Sequence, residues 1–162
     1  MTTTTLPSGT GIASTYAYDN ADRLSSIAHV KAGPTTVASV AYTLDAVGNR
    51  TQRVDQQGTH TYAYDNLYRL TSVTYPGPAT TTYAFDAFGN RTSKTEPGSQ
   101  TTTYSYDNAD RLTSLTKPGP TTVNYSWDNN GDLTARGGDS FAWDYEDRMT
   151  SATVRSPLLS QL

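Results

Sequence analysis

One four-residue pattern recurs seven times along this chain: an aromatic residue, a small or polar residue, a second aromatic residue or leucine, and an aspartate. The central aspartates follow one another at intervals of 21 residues. A short fixed period is typical of arrays whose units bury apolar surface only against their neighbours. Function must therefore be sought along an array.

We call the pattern the tetrad, and its ring positions and aspartates are Tyr16, Tyr18 and Asp19; Tyr42 and Asp45; Tyr62, Tyr64 and Asp65; Tyr83, Phe85 and Asp86; Tyr104, Tyr106 and Asp107; Tyr125, Trp127 and Asp128; and Phe141, Trp143 and Asp144.

Two different sequences alternate after the tetrads. One form reads Asp-Asn-x-x-Arg-Leu, and the other reads Asp-Ala-x-Gly-Asn-Arg-Thr. Copies of the first start at Asp19, Asp65, Asp107 and, in divergent form, Asp144; copies of the second start at Asp45, Asp86 and, in divergent form, Asp128. The alternation predicts a structural unit of two tetrads.

The composition favours strands and turns over helices, because only 17% of residues are charged and Thr, Tyr, Gly and Pro are frequent. The two ring positions of a tetrad are one residue apart, so they share a face of a strand. The tetrad aspartate then opens a turn, in which Gly48, Gly89 and Gly131 supply positive φ and Asn49 and Asn90 are expected in the same left-handed region. The chain is thus predicted to be all-β, an antiparallel meander of hairpin repeats with about fourteen strands.

The predicted array covers residues 12–154, between a flexible N-terminal segment, 1–11, and a C-terminal tail, 155–162. Long twisted sheets curl, so we expect a partial shell or barrel. A meander leaves an edge strand at each end, and exposed edges pair with other chains. We therefore predict a homodimer that closes the shell.

Charge and hydropathy argue against several partners. The formal net charge is −3, so no basic surface is expected to bind nucleic acid. No segment approaches the roughly 20 apolar residues of a membrane helix, and residues 1–11 do not resemble a signal peptide. Ion pairs with the tetrad aspartates are expected for the arginines that follow them, Arg23, Arg50, Arg69, Arg91, Arg111 and Arg148.

Metal-ligating residues are few, since the chain has no cysteine and two histidines, His29 and His60. A turn over residues 56–59 would place His60 nearly opposite Asp55, where a carboxylate can orient an imidazole. His29, His60 and Asp55 are therefore candidate ligands for a divalent metal, although no cofactor is required. The alternative is two strand histidines with local partners.

The stretch from Asp128 to Asp132 is rich in oxygen ligands but lacks the spaced carboxylates and distal Glu of a calcium loop. Turn capping is the better interpretation of these side chains.

The tetrads with their two turn forms resemble the YD repeats of the RHS family, over nearly the whole chain from Tyr16 to Thr153. That family includes bacterial rearrangement-hotspot proteins, the shell-forming component of insecticidal toxin complexes, and the teneurins of animal cell surfaces. The resemblance implies a spiralling β-sheet that wraps into a hollow shell, which encloses a toxin polypeptide in bacteria or serves as an adhesion scaffold in teneurins. It also implies a secreted or cell-surface location.

Two functions remain open from the sequence. The first is a structural or binding module, a short RHS-like segment of about seven repeats that presents or encloses a polypeptide or a glycan. The second is a metal-dependent hydrolase of esters or phosphoesters, with a site of His and Asp side chains in a dimer cavity.

Overall fold

A computed structural model of the chain describes residues 3–7, 11–31, 35–77, 79–119 and 121–155. These residues form fifteen β-strands and no helix, so nothing in this part of the chain could cross a membrane as a helix. The strands are β1 (Thr3–Pro7), β2 (Ile12–Tyr18), β3 (Leu24–Lys31), β4 (Thr36–Leu44), β5 (Arg50–Asp55), β6 (Gly58–Tyr64), β7 (Leu70–Thr74), β8 (Thr80–Phe85), β9 (Arg91–Glu96), β10 (Gln100–Tyr106), β11 (Leu112–Thr116), β12 (Thr122–Trp127), β13 (Leu133–Arg136), β14 (Asp139–Trp143) and β15 (Met149–Thr153).

Strands that follow one another in the chain are neighbours in an antiparallel sheet. The chain divides into two compact units, Met1–Thr82 and Tyr83–Leu162. The first holds β1 to β7 and the start of β8, and the second holds the rest of β8 and β9 to β15. The predicted all-β meander of hairpins is confirmed.

The first strand was missed by the sequence analysis, which assigned residues 1–11 to a flexible segment. Residues Thr3–Pro7 form β1, which pairs with β2 from Thr3 opposite Ala17 to Pro7 opposite Ala13. Strand pairing needs only backbone donors and acceptors, and threonine is a favoured strand residue. A strand can therefore form without a tetrad of its own. Of the predicted tail, only Arg155 lies within the described residues.

The tetrad rings share one face of the sheet, as predicted. In β6, His60 is buried and Tyr62 and Tyr64 are half-buried, whereas the alternating Thr61 and Ala63 are exposed. The tetrad strands of the second unit show the same alternation, with half-buried Tyr104 and Tyr106 flanking exposed Ser105 in β10. The ring face is therefore the more covered face of these strands, whereas in β2 the buried residue is Ala17, between the two rings.

This sheet has very little interior. Among the described residues, Ala17 and Val73 are the buried hydrophobic side chains, each 7% exposed, and no large side chain is fully buried. Val73 on β7 lies directly opposite Tyr62 on β6, so the ring lies beside a cross-strand neighbour. Such lateral pairs contribute roughly 0.2–1 kcal/mol each.

The ring face can be tested by comparing two substitutions on β6. Tyr62→Ala should lower the free energy of unfolding by about 2 kcal/mol, because it removes a half-buried ring from its place opposite Val73. Ala63→Ser, on the exposed face, should change it by less than about 0.5 kcal/mol. Urea denaturation followed by circular dichroism measures both, and equal effects would contradict the assignment of the faces.

Candidate functional site: the repeated turn

Each tetrad ends in a five-residue turn that its aspartate holds together. In the turn that starts at Asp65, the backbone N–H of Asp65 donates to the Arg69 carbonyl at 3.0 Å, and the Tyr68 N–H donates to the Asp65 carbonyl at 3.0 Å. The Asp65 carboxylate oxygen Oδ1 accepts the N–H groups of Leu67 at 2.9 Å and Arg69 at 3.0 Å. The same four bonds occur in all seven turns.

The residue three positions after each tetrad aspartate adopts positive φ. Glycine occupies this position in the second turn form, as predicted for Gly48, Gly89 and Gly131, which have φ of 96–100°. The first form uses other residues with φ of 56–60°, namely Asp22, Tyr68, Asp110 and Asp147. The left-handed region is costly for side chains other than Gly, Asn and Asp. Tyr68 therefore carries strain that the turn must offset.

Asn49 and Asn90 do not adopt the left-handed conformation, so that prediction was wrong. They lie one position further on, where their amides donate Nδ2–H to the second carboxylate oxygen, Oδ2, of Asp45 at 2.9 Å and of Asp86 at 3.1 Å. A side-chain donor at this fourth position completes the turn.

Arginine is the other donor found at the fourth position. Arg23, Arg69, Arg111 and Arg148 each donate Nε–H to Oδ2 of their own tetrad aspartate at 2.7–2.9 Å. The backbone N–H of Arg69 is the main cause that holds the pKa of Asp65 below its usual value, and the Arg69 guanidinium acts in the same direction. Desolvation of the carboxylate opposes both. Ion pairing is therefore confirmed for these four arginines.

Arg50 and Arg91 lie one position further along and do not form the predicted ion pairs within the described part of the chain. The Arg50 guanidinium lies 4.3 Å from the centre of the Tyr42 ring, and that of Arg91 lies 4.5 Å from the centre of the Tyr104 ring. Arg91 also donates to the Tyr104 hydroxyl at 2.9 Å. These are cation–π contacts with tetrad rings.

A second bond joins each of several tetrads to the turn before it. The second ring of the tetrad donates an O–H or N–H to the carbonyl of the residue five positions after the preceding tetrad aspartate. The pairs are Tyr64 with Arg50 at 2.9 Å, Tyr106 with Arg91 at 3.0 Å, Trp127 with Leu112 at 2.8 Å, and Trp143 with Leu133 at 2.8 Å. We call this contact the inter-repeat bond.

Arginines of the first turn form also reach the following turn. Arg23 donates Nη1–H to the Asp45 carbonyl at 2.8 Å, and Arg111 donates Nη1–H to the Asp128 carbonyl at 2.9 Å. One guanidinium thus binds the carboxylate of its own turn and the backbone of the next. The turns form a bonded row along one rim within each unit.

The turn that starts at Asp128 departs from this scheme, because its fourth position holds Asp132 instead of a donor. One carboxylate oxygen of Asp132 is buried without a hydrogen-bond partner. Desolvation, together with the nearby negative charges of Asp147 and Asp128, raises the pKa of Asp132 above its usual 3.8. The sequence showed that this turn diverges from the others, but it did not show that a carboxylate oxygen of Asp132 would be buried there without a partner.

The candidate metal ligands lie on the ring face of the first unit. His29 Nδ1 is 2.8 Å from the hydroxyl of Ser14. His60 Nε2 is buried and unpartnered, 3.9 Å from Asp55 Oδ2, and Asp55 forms an ion pair with Arg53. His29 and Asp55 line one depression of about 330 Å³.

The predicted turn over residues 56–59 was too long, but His60 and Asp55 are still neighbours, with Nε2 and Oδ2 3.9 Å apart. The turn before β6 contains two residues, Gln56 and Gln57, so Asp55 lies opposite Gly58 and His60 lies opposite Arg53. No group of three or more His, Asp or Glu side chains in the described ranges is arranged to hold a metal ion. The metal site and the hydrolase activity stay predictions.

One family of known proteins matches two segments of this chain. The RHS repeat model matches residues 45–80 and 85–122. These two segments are similar to RHS repeats. Each matched segment contains one turn of the second form followed by one of the first, in keeping with the two-tetrad unit.

Solved structures show the same fold as this chain. The crystal structure of TcdB2-TccC3-Cdc42 aligns with a TM-score of 0.68 and 14% identity over 93% of this chain and 10% of that chain. The crystal structure of TcdB2-TccC3 aligns with a TM-score of 0.66 and 16% identity over 84% of this chain and 9% of that chain. The chain therefore spans about a tenth of the length of these neighbours. No curated protein sequence matches it.

Strain at the third turn position can be measured in the RHS repeat that contains Tyr68. Tyr68 is 60% exposed with φ of 60°, so Tyr68→Gly should raise the free energy of unfolding by about 0.5–1 kcal/mol. Leu67→Gly alters a neighbour that is 66% exposed and has no positive φ, so it should lower stability by a similar amount. Thermal denaturation compares them, and destabilisation by Tyr68→Gly would refute the strain.

The unpaired carboxylate of Asp132 predicts a pH effect. Its raised pKa means that the folded state binds the proton more tightly than the unfolded state. The stability that comes from binding this proton is fully present below pH 3.8, the ordinary pKa of an aspartate. It is lost as the pH rises through the pKa of Asp132 in the folded state. Asp132→Asn should therefore raise Tm at pH 7 and have a smaller effect at about pH 3.

The reverse substitution is the matched control. Asn90→Asp places a carboxylate against Asp86 at the equivalent position, so it should lower Tm at pH 7. Thermal melts of both variants at the two pH values decide the matter. An unchanged Tm for Asp132→Asn at pH 7 would show that the Asp128 turn tolerates the extra charge.

Proposed function

We propose that this chain is a structural segment of an RHS-type β shell that encloses or presents a polypeptide or a glycan. The inter-repeat bond is the observation that carries the proposal. The same ring position donates to the same backbone position at four of the six junctions between tetrads, twice through tyrosine and twice through tryptophan. A contact repeated in this way supports a role in stacking hairpins.

The side chains around this bond also favour a structural role. The tetrad carboxylates accept donors from their own turns, and the pKa values of Asp19, Asp65 and Asp107 are lowered first of all by the backbone N–H four residues on. Carboxylates held ionised by their own backbone are poor general acids. The rings retain partial exposure, so the ring face can contact apolar side chains or sugar rings.

The last described strand, β15, is suited to extending the sheet. Every residue of β15 is exposed. Met149 lies five positions after Asp144, so its carbonyl occupies the acceptor position of the inter-repeat bond. The Arg148 side chain is 67% exposed and occupies the turn position from which Arg23 and Arg111 reach the following turn, although its Nη1 pairs with Glu146 at 2.7 Å. These groups support a homodimer joined edge to edge through β15.

A secreted or cell-surface location follows from the same proposal. The similarity to RHS repeats supports it, because the resemblance to a family that includes toxin-complex shells and cell-surface teneurins implies such a location. Immunodetection of the chain in intact cells and in culture medium would reveal whether it is exported.

Light scattering of the purified chain at micromolar concentration tests the assembly. We expect the mass of a dimer, because an open strand edge pairs readily with another edge. The double variant Thr150→Lys/Ala152→Lys puts charge on β15 and should give a monomer with an unchanged circular dichroism spectrum. The matched control Thr103→Lys/Ser105→Lys places the same charges on exposed positions of β10, inside the second unit, and should remain dimeric.

Native mass spectrometry separates the structural role from the hydrolase. The proposal expects dimers without stoichiometric metal. A bound transition metal together with ester hydrolysis that His60→Ala abolishes would overturn it in favour of the enzyme. A monomer at micromolar concentration would remove the edge-to-edge homodimer.

A further inference from the structure

A depression of about 580 Å³ opens on the second unit. Its apolar wall consists of Leu115 on β11 with Val123 and Tyr125 on β12, and Gly137 and Gly138 form the turn at one side. Tyr125 is the first ring of its tetrad, so the depression belongs to the ring face. It lies far along the chain from the depression that holds His29 and Asp55.

Gly138 allows a cation to pack across the turn. A Cβ at this position would lie 2.7 Å from Cδ of Arg155, closer than two carbon atoms can approach. The absence of a side chain therefore lets the stem of Arg155 pass over the β13–β14 hairpin. The Arg155 backbone N–H also donates to Asp139 Oδ1 at 2.9 Å, which anchors the residue beside the depression.

Three cationic side chains line the depression, Lys117, Arg136 and Arg155, against one carboxylate, Asp139. Arg136 donates Nη2–H at 2.8 Å and Nε–H at 3.2 Å to Asp139 Oδ2. This bond, with the N–H of Arg155, keeps the pKa of Asp139 below its usual value. Asp139 is therefore ionised and cancels one of the three positive charges, which leaves a local charge of +2 on a chain whose net charge is −3.

The remaining donors are available to a ligand. The recorded bonds of Arg136 use Nε and Nη2, and its side chain is still 49% exposed. Within residues 79–119 and 121–155, no ion pair is recorded for the side chains of Lys117 and Arg155. Guanidinium and ammonium groups at such a site attract carboxylates.

We propose that this depression binds an acidic peptide segment in which a carboxylate is adjacent to an apolar side chain. The carboxylate would meet Lys117, Arg136 and Arg155, and the apolar side chain would contact Leu115, Val123 and Tyr125. Charge complementarity selects the anion, and the apolar wall selects a carbon-rich neighbour over a free inorganic anion. The inference rests on the proposed role of enclosing or presenting a polypeptide, and it names the chemistry of that polypeptide.

Fluorescence anisotropy of the full chain with labelled peptides tests the site. An alternating Leu-Glu peptide should bind, and its Leu-Gln and Ser-Glu counterparts should bind at least about tenfold more weakly, because each loses one of the two contacts. The variant Lys117→Gln/Arg155→Gln should weaken the Leu-Glu peptide about tenfold or more. Binding should also fall with added salt.

Lys31 provides the matched control. Its backbone N–H donates to the carbonyl of Thr35 at 3.0 Å, as the N–H of Lys117 does to that of Thr121 at 3.0 Å, so the two lysines occupy the same kind of turn. Lys31→Gln should leave peptide affinity unchanged. If the double variant unfolds, the single variant Lys117→Glu replaces it in the assay. It changes one exposed side chain and reverses its charge, so it should reduce peptide affinity more than the loss of one charge would.

Several results would overturn the site. They are equal binding of the Ser-Glu peptide, full displacement by inorganic phosphate at equal concentration, tighter binding of an acidic monosaccharide, and unchanged affinity in the double variant. Peptide binding is measured independently of the dimer mass. A chain that is monomeric but binds the peptide would therefore contradict the edge-to-edge dimer and still support this site.

Discussion

A single carboxylate in each repeat organises the turn on which the sheet depends. Its Oδ1 accepts two backbone N–H groups in all seven turns, and its Oδ2 accepts a side-chain donor in six of them. This matters because the described residues bury only two hydrophobic side chains, Ala17 and Val73. With so little interior, hairpin geometry and lateral contacts must supply the specificity that a packed core supplies elsewhere.

The inter-repeat bond converts a row of hairpins into an ordered stack. A ring that donated only to solvent would leave the register between hairpins to the strands alone, whereas donation to one defined carbonyl ties the tetrads of Tyr64, Tyr106, Trp127 and Trp143 to the turns that precede them. Tyrosine and tryptophan serve equally because each combines a flat apolar body with one donor at its tip. The strain at Tyr68 and the burial of unpaired His60 Nε2 show that this regular framework also tolerates local costs.

Departures from the repeat mark the places where chemistry beyond stacking is concentrated. The turn with Asp132 replaces a donor by a second acid, and the hairpin with Gly138 leaves room for the stem of Arg155. Proteins generally violate local rules at functional or strained positions. In this array a departure is easy to recognise, since equivalent positions in the other repeats show what the ordinary residue does.

The sequence alone determined the hairpins, the shared face of the tetrad rings and the four arginine–aspartate pairs, because each depends on residues within one turn or one strand. It did not predict β1, whose pairing uses backbone groups that carry no residue signature. It also made the turn before β6 too long and paired Arg50 with a carboxylate instead of the Tyr42 ring. Those features were decided by the register between strands, and a one-residue change in a turn alters every cross-strand neighbour beyond it.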